Sequence, residues 1–234
     1  MRTVRTYGLL TALAMIGVWL FLPMPSNGAI IPVDELNLTG VELNLSVAVR
    51  ADSSLISIMA GFYDLELTVT ADPIWTGSYR GFCVEPQQIM DFGSYTGYSL
   101  YELTPPHTNA AWLMSTYVGS ATDSYNAASL QVAIWESLLD PKPFDLTKGN
   151  FVLIFGLVPD TKRAKEMLAA LSNADLSSFD ATAYRIASDD GLGTRSGLQD
   201  LIVYNAAVPI PSGLLLLGSG LIAFIGLRRK LASR

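Results

Sequence analysis

The sequence predicts an α+β fold, with a β-rich N-terminal portion and a helical insert, and three observations support this class. Apolar residues alternate with polar ones early in the chain, a helical period then takes over, and short apolar strand patterns return toward the end. Two largely apolar segments flank this region. The predicted organisation is therefore a leader over residues 1–28, a folded domain over residues 29–207 and a tail over residues 208–234.

The charges of the 234-residue chain are unevenly distributed. The chain has 15 basic and 21 acidic residues, and six of the basic ones lie in the two flanking segments. Nine basic residues therefore accompany all 21 acidic ones in the predicted domain, which gives that domain a formal charge of −12. Such a charge argues against binding to nucleic acid, because phosphates are neutralised by a basic face.

The first half of the predicted domain consists of strands. Apolar residues recur mostly at every second position from Leu36 to Val49, and residues 65–69 repeat this pattern, which is typical of half-buried strands. Residues 78–84 form the next predicted strand, which ends at Glu85 and Pro86.

Helical patterns follow. Residues 110–118 and 125–139 are predicted helices, the second with Asp123 and Ser124 as candidate caps and with Asp140 and Pro141 at its end. A strand over residues 151–157, an amphipathic helix over residues 161–171 and a last strand over residues 201–204 complete the domain.

The N-terminus has the pattern of a secretory signal peptide. Arg2 and Arg5 precede an uncharged, largely apolar run over residues 8–22, which ends at Pro23 and is followed by small residues at 26–29. An uncleaved anchor is the alternative, although this run is shorter than the ~20 residues that span a bilayer. Both interpretations predict that the domain is exported.

The C-terminus has the pattern of a membrane helix followed by a basic cluster. Residues 201–227 carry no charge, and Arg228, Arg229 and Lys230 follow directly. Because basic residues tend to stay in the cytoplasm, the helix over residues 212–227 is predicted to cross the inner membrane from outside to inside. At 1.5 Å per residue this helix is about 24 Å long, a short span.

The order of Val208, Pro209 and Pro211, a Gly- and Leu-rich helix and a terminal basic cluster resembles the PEP-CTERM sorting signal of Gram-negative bacteria. The chain departs from that motif at Ile210, where Glu is most common. The resemblance implies recognition by an exosortase, cleavage near the prolines, and delivery to the cell surface or the extracellular polysaccharide matrix. A plain C-terminal anchor is the alternative interpretation.

The single cysteine and the single histidine limit the chemistry of the domain. One cysteine excludes an intramolecular disulfide framework, and one histidine makes a His-based metal site improbable, so neither metal nor cofactor is expected. An unpaired thiol in an exported protein is a liability unless it is occupied or buried. Cys83 is therefore either a small buried apolar residue or a reactive group.

Gln131 lies in a predicted helix that is apolar nearly all round, so its carboxamide is expected to be buried. A buried carboxamide without partners costs on the order of 1–3 kcal/mol. Backbone groups are one way to satisfy it. The other is a thioester, in which the Cys83 thiol displaces ammonia from the side chain of Gln131.

The block Phe82-Cys83-Val84-Glu85-Pro86, followed by Leu130-Gln131-Val132-Ala133-Ile134-Trp135-Glu136, resembles the Cys–Gln thioester domains (TQXA type) of bacterial surface adhesins. These domains often have Thr before the Gln, where this chain has Leu130. The resemblance implies that Cys83 is the thiol and Gln131 the acyl donor. Trp135, one helical turn further on, is predicted to shield the bond.

The resemblance implies single-use covalent capture rather than turnover. An amine or a hydroxyl on an unknown surface target attacks the thioester carbonyl and expels the Cys83 thiolate, in the way of covalent catalysis without regeneration. His107 is a candidate base for the incoming nucleophile, and an exposed loop residue is the alternative.

Two rival functions stay open. One is a non-reactive structural protein of the extracellular matrix, in which Cys83 is merely buried. The other is a transglutaminase-like enzyme, because Cys83, His107 and a later aspartate such as Asp123 or Asp140 have the appropriate order. Triads are defined by geometry rather than by order.

Overall fold

The computed structural model describes residues 30–88, 90–104, 106–155, 161–180, 184–188 and 199–204. These residues form one nine-stranded sheet and three α-helices, so the predicted α+β class is confirmed. Within those ranges, no helix has both the length and the apolar character needed to span a bilayer. The predicted leader over residues 1–28 and the sorting residues lie outside the described residues; the sorting residues are Val208, Pro209, Pro211, Arg228, Arg229 and Lys230.

The sheet is antiparallel at every strand pair that the described residues form. Its strands lie in the order β1-β6-β8-β9-β4-β3-β2-β5, and β7 pairs with β2 as well. They are β1 (Ile31–Pro32), β2 (Glu35–Ala51), β3 (Ser54–Thr68), β4 (Gly77–Cys83), β5 (Gly93–Tyr95), β6 (Ser99–Glu102), β7 (Phe151–Phe155), β8 (Tyr184–Ser188) and β9 (Leu201–Tyr204).

The three helices are α1 (His107–Tyr117), α2 (Ser124–Leu139) and α3 (Lys162–Asn173). The predicted cap of α2 is confirmed, because the Asp123 carboxylate accepts a hydrogen bond from the backbone N–H of Asn126 at 2.8 Å. The same helix ends at Leu139, before Asp140 and Pro141, as the sequence predicts.

The core has two parts, one on each face of the sheet. Ile202 packs in the cluster that contains α1, α2 and α3, whereas its neighbours Leu201 and Val203 pack in the cluster with Leu36 and Trp75. Successive side chains of a strand point to opposite faces, so this division follows from the strand period. Helix α2 lies against β2, β3, β4 and β7, and it therefore covers the strand that carries Cys83.

Several strands differ from the prediction. Strand β3 begins at Ser54, well before the predicted residue 65, and it pairs with β2 along nearly its whole length. Strands β1, β5, β6 and β8 were not predicted, and they have only two to five residues each. Such short strands have too few residues to show a hydrophobic period. Their positions are determined by pairing with strands that are distant in the sequence.

Candidate functional site

Cys83 lies at the end of β4, where this strand pairs with β9. Cys83 is opposite Leu201 in the antiparallel register, and the N–H of Val84 extends the pairing by donating to the carbonyl of Asp200 at 3.0 Å. Gln199, which precedes β9, therefore lies beside Cys83. The Cys83 side chain is 1% exposed and belongs to the cluster under the helices.

Gln131 reaches Cys83 from α2, and its burial at 1% exposed area is as the sequence predicts. Its Oε1 accepts a hydrogen bond from the backbone N–H of Cys83 at 3.1 Å, and its Nε2 donates to the backbone carbonyl of Cys83 at 2.8 Å. Both ends of the amide are therefore occupied by main-chain groups. The structure brings the two predicted residues together through the backbone of Cys83.

The sulfur of Cys83 is in direct contact with a different carboxamide. The Nε2 of Gln199 donates a hydrogen bond to this sulfur. The thiol donates its own hydrogen to the backbone carbonyl of Glu85 at 3.1 Å. The Nε2 of Gln199 also donates to two carbonyl oxygens, that of Glu85 at 3.0 Å and that of Gln88 at 2.9 Å. These two acceptors fix the amide nitrogen of Gln199 next to the sulfur.

The rest of Gln199 is also held within the protein. The hydroxyl of Tyr98 donates to the backbone carbonyl of Gln199 at 3.1 Å, and Tyr98 is itself buried. Among the residues that the structure describes, the Oε1 of Gln199 is buried without a hydrogen-bond partner. Buried polar atoms are nearly always paired, so an unpaired carbonyl oxygen next to a thiol points to a functional role.

Burial raises the pKa of the Cys83 thiol well above its ordinary value. The nearby Trp135 side chain, the Glu85 backbone and the Gln199 side chain lower this pKa, whereas the nearby carboxylate of Glu85 raises it further. The net effect is that the resting side chain is a neutral thiol. A role as a nucleophile would therefore require removal of this proton.

Trp135 is fully buried and belongs to the same core cluster as Cys83. Its ring packs against Phe151 with the ring centres 6.1 Å apart and the planes tilted by 44°. Trp135 follows Gln131 by one helical turn, so both side chains leave α2 on the side that faces β4. The shielding role of Trp135 stays a prediction.

His107 differs from its predicted place in a loop, because it is the first residue of α1 and is half-buried. Its backbone N–H donates to the carbonyl of Thr104 at 2.8 Å, so the chain turns into the helix directly after the two prolines. Burial lowers the pKa of His107, which favours the neutral imidazole. The groups that act on Cys83 are Trp135, Glu85 and Gln199. The role of His107 as a base stays a prediction.

Asp123 and Asp140, the two aspartates of the enzyme hypothesis, accept hydrogen bonds from nearby backbone N–H groups. Asp123 caps α2, and Asp140 accepts hydrogen bonds from the backbone N–H groups of Asn150 and Phe151, each at 2.8 Å. Both carboxylates are thus used at the two ends of one helix. In the described ranges no three His, Cys, Asp or Glu side chains are grouped so that they could hold a metal ion.

A surface cleft of about 420 Å³ lies next to the buried thiol, between the β2–β3 hairpin and the segment that follows Pro86. Gln88, whose carbonyl holds Gln199, lines this cleft, and so does Tyr63. The pKa of Tyr63 is raised, first by burial and second by its closeness to Cys83. Gln88 therefore borders both the cleft and the Gln199 side chain.

Gln199 is the site residue that the sequence reasoning missed. It lies two residues before the strand Leu201–Tyr204, which the sequence does predict. A polar residue at the start of a strand is ordinary, and only the pairing of this strand with β4 brings it to Cys83. That long-range pairing leaves no mark in the local pattern of residues.

The chain matches no protein-family model, and no curated protein or solved structure is detectably similar to it.

Proposed function

We propose that this chain is an exported bacterial surface protein in which Cys83 forms an internal thioester and thereby captures nucleophiles covalently. The observation that carries the proposal is the contact between the Cys83 sulfur and the Gln199 carboxamide, inside a buried site. A second support is the unpaired Oε1 of Gln199, because a buried polar atom without a partner among the described residues is unusual and points to a functional site.

The acyl donor in this proposal is Gln199, in place of the Gln131 that the resemblance implies. The amide of Gln131 already binds both the N–H and the carbonyl of Cys83. Loss of its nitrogen as ammonia would leave the buried carbonyl of Cys83 without that donor, which costs on the order of 1–3 kcal/mol. Gln131 is therefore a positioning residue that fixes the main chain of Cys83.

Thioester formation is a balanced acyl transfer. The Cys83 sulfur bonds to the side-chain carbonyl carbon of Gln199, the C–N bond of the amide breaks, and the thiol proton leaves with the nitrogen as ammonia. The carbonyls of Glu85 and Gln88 already accept hydrogen bonds from that nitrogen. They are placed to stabilise the nitrogen as it gains a proton and leaves.

In the capture step the C–S bond breaks and a new bond to the nucleophile forms. An incoming amine or hydroxyl bonds to the same carbonyl carbon, the C–S bond breaks, and the proton of the nucleophile ends on the sulfur. The product joins Gln199 to the target through an amide or an ester, and Cys83 returns to a thiol. Each molecule reacts once, so the protein is an adhesive rather than an enzyme with turnover.

The cleft beside Tyr63 and Gln88 is the proposed approach for the nucleophile. Cys83 and Gln199 are fully buried, so water is kept from the thioester while the target is absent. The target in this proposal is a surface amine or hydroxyl outside the cell.

Export and sorting are proposed from the sequence of the flanking segments. The leader directs the chain outward, residues 212–227 hold it transiently in the inner membrane, and an exosortase cuts near Pro209 and Pro211. The mature domain is then delivered to the cell surface or the extracellular matrix, where covalent capture would attach it.

A non-reactive structural protein of the matrix is the second candidate, and one observation favours it. The Cys83 thiol is buried and already donates a hydrogen bond to Glu85, as an inert structural thiol does. The transglutaminase-like alternative has less support, because Asp123 and Asp140 bind backbone groups at the ends of α2.

The intact mass of the native, unreduced protein tests the proposal. We expect a mass that is lower than the sequence mass of the processed chain by one ammonia, and addition of one methylamine on treatment. Both effects are expected to be absent from the Cys83→Ala and Gln199→Ala variants. A full mass with an unreactive thiol would support the structural protein instead.

A further inference from the structure

The indole N–H of Trp135 is buried and, in the part of the chain that the structure describes, has no hydrogen-bond acceptor. The side chain is fully buried and packs against Phe151, so the ring cannot turn its nitrogen toward water. Tryptophan N–H groups usually find a partner when they are buried. An unpaired one at a candidate reaction centre therefore calls for an explanation in terms of function.

The position of this N–H is set by α2 and is close to the sulfur. Gln131, one turn earlier, is fixed by two hydrogen bonds to the main chain of Cys83, which holds this part of α2 against β4. Trp135 and Cys83 belong to the same buried cluster, and the Trp135 side chain acts on the thiol in the direction that favours the thiolate.

The resting thiol leaves this donor unused. The S–H group donates its hydrogen to the carbonyl of Glu85 and the sulfur lies against the Nε2 of Gln199, so the resting sulfur is neutral and has no charge to attract the Trp135 N–H. A thiolate is a much better acceptor than a neutral thiol, and it gives the N–H of Trp135 a partner. An interaction that forms only when charge develops lowers the barrier without stabilising the starting state.

We propose that the Trp135 N–H is the hydrogen-bond donor that stabilises negative charge on the Cys83 sulfur during both acyl transfers. It acts when the sulfur loses its proton and attacks Gln199, and again when an incoming amine bonds to the Gln199 carbonyl carbon and expels the sulfur. In the second step the proton of the amine passes to the sulfur and ends the interaction. This inference rests on the proposed thioester function.

This role makes the opposite prediction from a shield. A ring that only excludes nucleophiles would slow capture, so a smaller ring would speed it. A ring that donates to the leaving sulfur accelerates capture, so loss of its N–H would slow it. The direction of the rate change therefore distinguishes the two roles.

The test compares Trp135→Phe with the wild-type protein. Methylamine capture by the mature, processed protein is followed by intact mass, and thermal unfolding is measured in parallel. We expect capture to be about 10- to 100-fold slower in Trp135→Phe, the factor that corresponds to one hydrogen bond to a charged group. The matched control is Trp75→Phe, the same change at a buried tryptophan in the other core cluster, which should react at the wild-type rate.

Replacement of Trp135 by benzothienylalanine keeps the ring shape and removes only the N–H, so it serves if the smaller ring prevents folding. Slow capture in this variant supports the proposal, whereas capture at the wild-type rate or faster overturns it. The two proposals also fail differently. A wild-type protein of full mass overturns the thioester and the Trp135 role together, while an ammonia-deficient wild type with unchanged Trp135 variants overturns the Trp135 role alone.

Discussion

The side chain of Gln131 binds both main-chain polar groups of Cys83, with Oε1 3.1 Å from the N of Cys83 and Nε2 2.8 Å from its carbonyl oxygen. The amide thus satisfies the main chain at the end of β4, where α2 covers the strand. The side chain of Cys83 contacts a different residue, Gln199. One glutamine therefore binds the backbone of Cys83, and the other contacts its sulfur.

The first prediction concerns Gln131. Gln131→Met keeps the length of the side chain but can neither donate to the Cys83 carbonyl nor accept from its N–H. We expect the free energy of unfolding to fall by at least about 2 kcal/mol, because each buried backbone group left unpaired costs about 1 kcal/mol or more. Urea denaturation followed by tryptophan fluorescence measures this loss.

Gln87→Met is the matched control for this prediction. The Gln87 amide donates to the backbone carbonyl of Ala51 at 3.1 Å, but the residue is exposed. Water replaces such a bond, so its loss should change stability little. Equal stability of the Gln131 variant and the wild type would contradict the positioning role.

The second prediction concerns Tyr98, whose hydroxyl holds the backbone carbonyl of Gln199 at 3.1 Å. Tyr98→Phe is expected to reduce stability by about 1 kcal/mol, the net value of one hydrogen bond, and to slow ammonia loss several-fold, because Gln199 is less well fixed against the sulfur. Mass measured at intervals after cell-free synthesis gives the rate. Tyr79→Phe, which removes an exposed hydroxyl bound to Ile74, should leave that rate unchanged.

The third prediction concerns Glu136, which follows Trp135 on α2. Burial, together with the charges of Asp140 and Asp145, raises the pKa of its carboxyl group from 4.5 to about 7, although a hydrogen bond from the Asp145 backbone opposes this shift. The folded state therefore holds this proton more tightly than the unfolded chain. The stabilisation is complete below about pH 4.5 and is lost as the pH rises toward 7.

Glu136→Gln removes this titration while keeping an oxygen that accepts from Asp145. Between about pH 4.5 and 7 the stability of the wild type should fall relative to that of the variant. Above pH 7 the variant should be the more stable of the two by about 1–3 kcal/mol. Urea midpoints for both proteins across this range measure the difference, and parallel curves would show that Glu136 titrates normally.

The fourth prediction concerns the C-terminal segment. An epitope tag placed after Arg234 is expected to be absent from the mature protein, because the proposed cleavage near Pro209 and Pro211 would remove everything that follows. An immunoblot with a second tag in the domain tests this. Retention of the C-terminal tag on the membrane-bound protein would instead indicate a plain anchor.

Much of the fold follows from local patterns. The alternation from Leu36 to Val49 predicts β2, and the apolar run from Ala127 to Leu139, with Asp123 before it, predicts α2 and its cap. These elements have enough residues to show a period, and the burial of Gln131 follows from the apolar surroundings of its helix.

The composition of the site is less predictable, because it depends on which strands pair. Cys83 and Gln131 are recognisable from their blocks, but Gln199 meets the sulfur only because β9 lies beside β4 in a register that sets Cys83 opposite Leu201. The carbonyls of Glu85 and Gln88 are backbone groups that no residue type reveals. A single sequence contains neither the strand order nor the path of the loop after Pro86.

The most direct test of the central claim is peptide mapping of the methylamine-treated protein by tandem mass spectrometry. The account predicts that methylamine is found as an amide on the side chain of Gln199, while Gln131 keeps its original amide and Cys83 becomes open to alkylation. Methylamide on Gln131 would contradict the assignment of the donor, and a protein without methylamide at either glutamine would contradict the thioester itself.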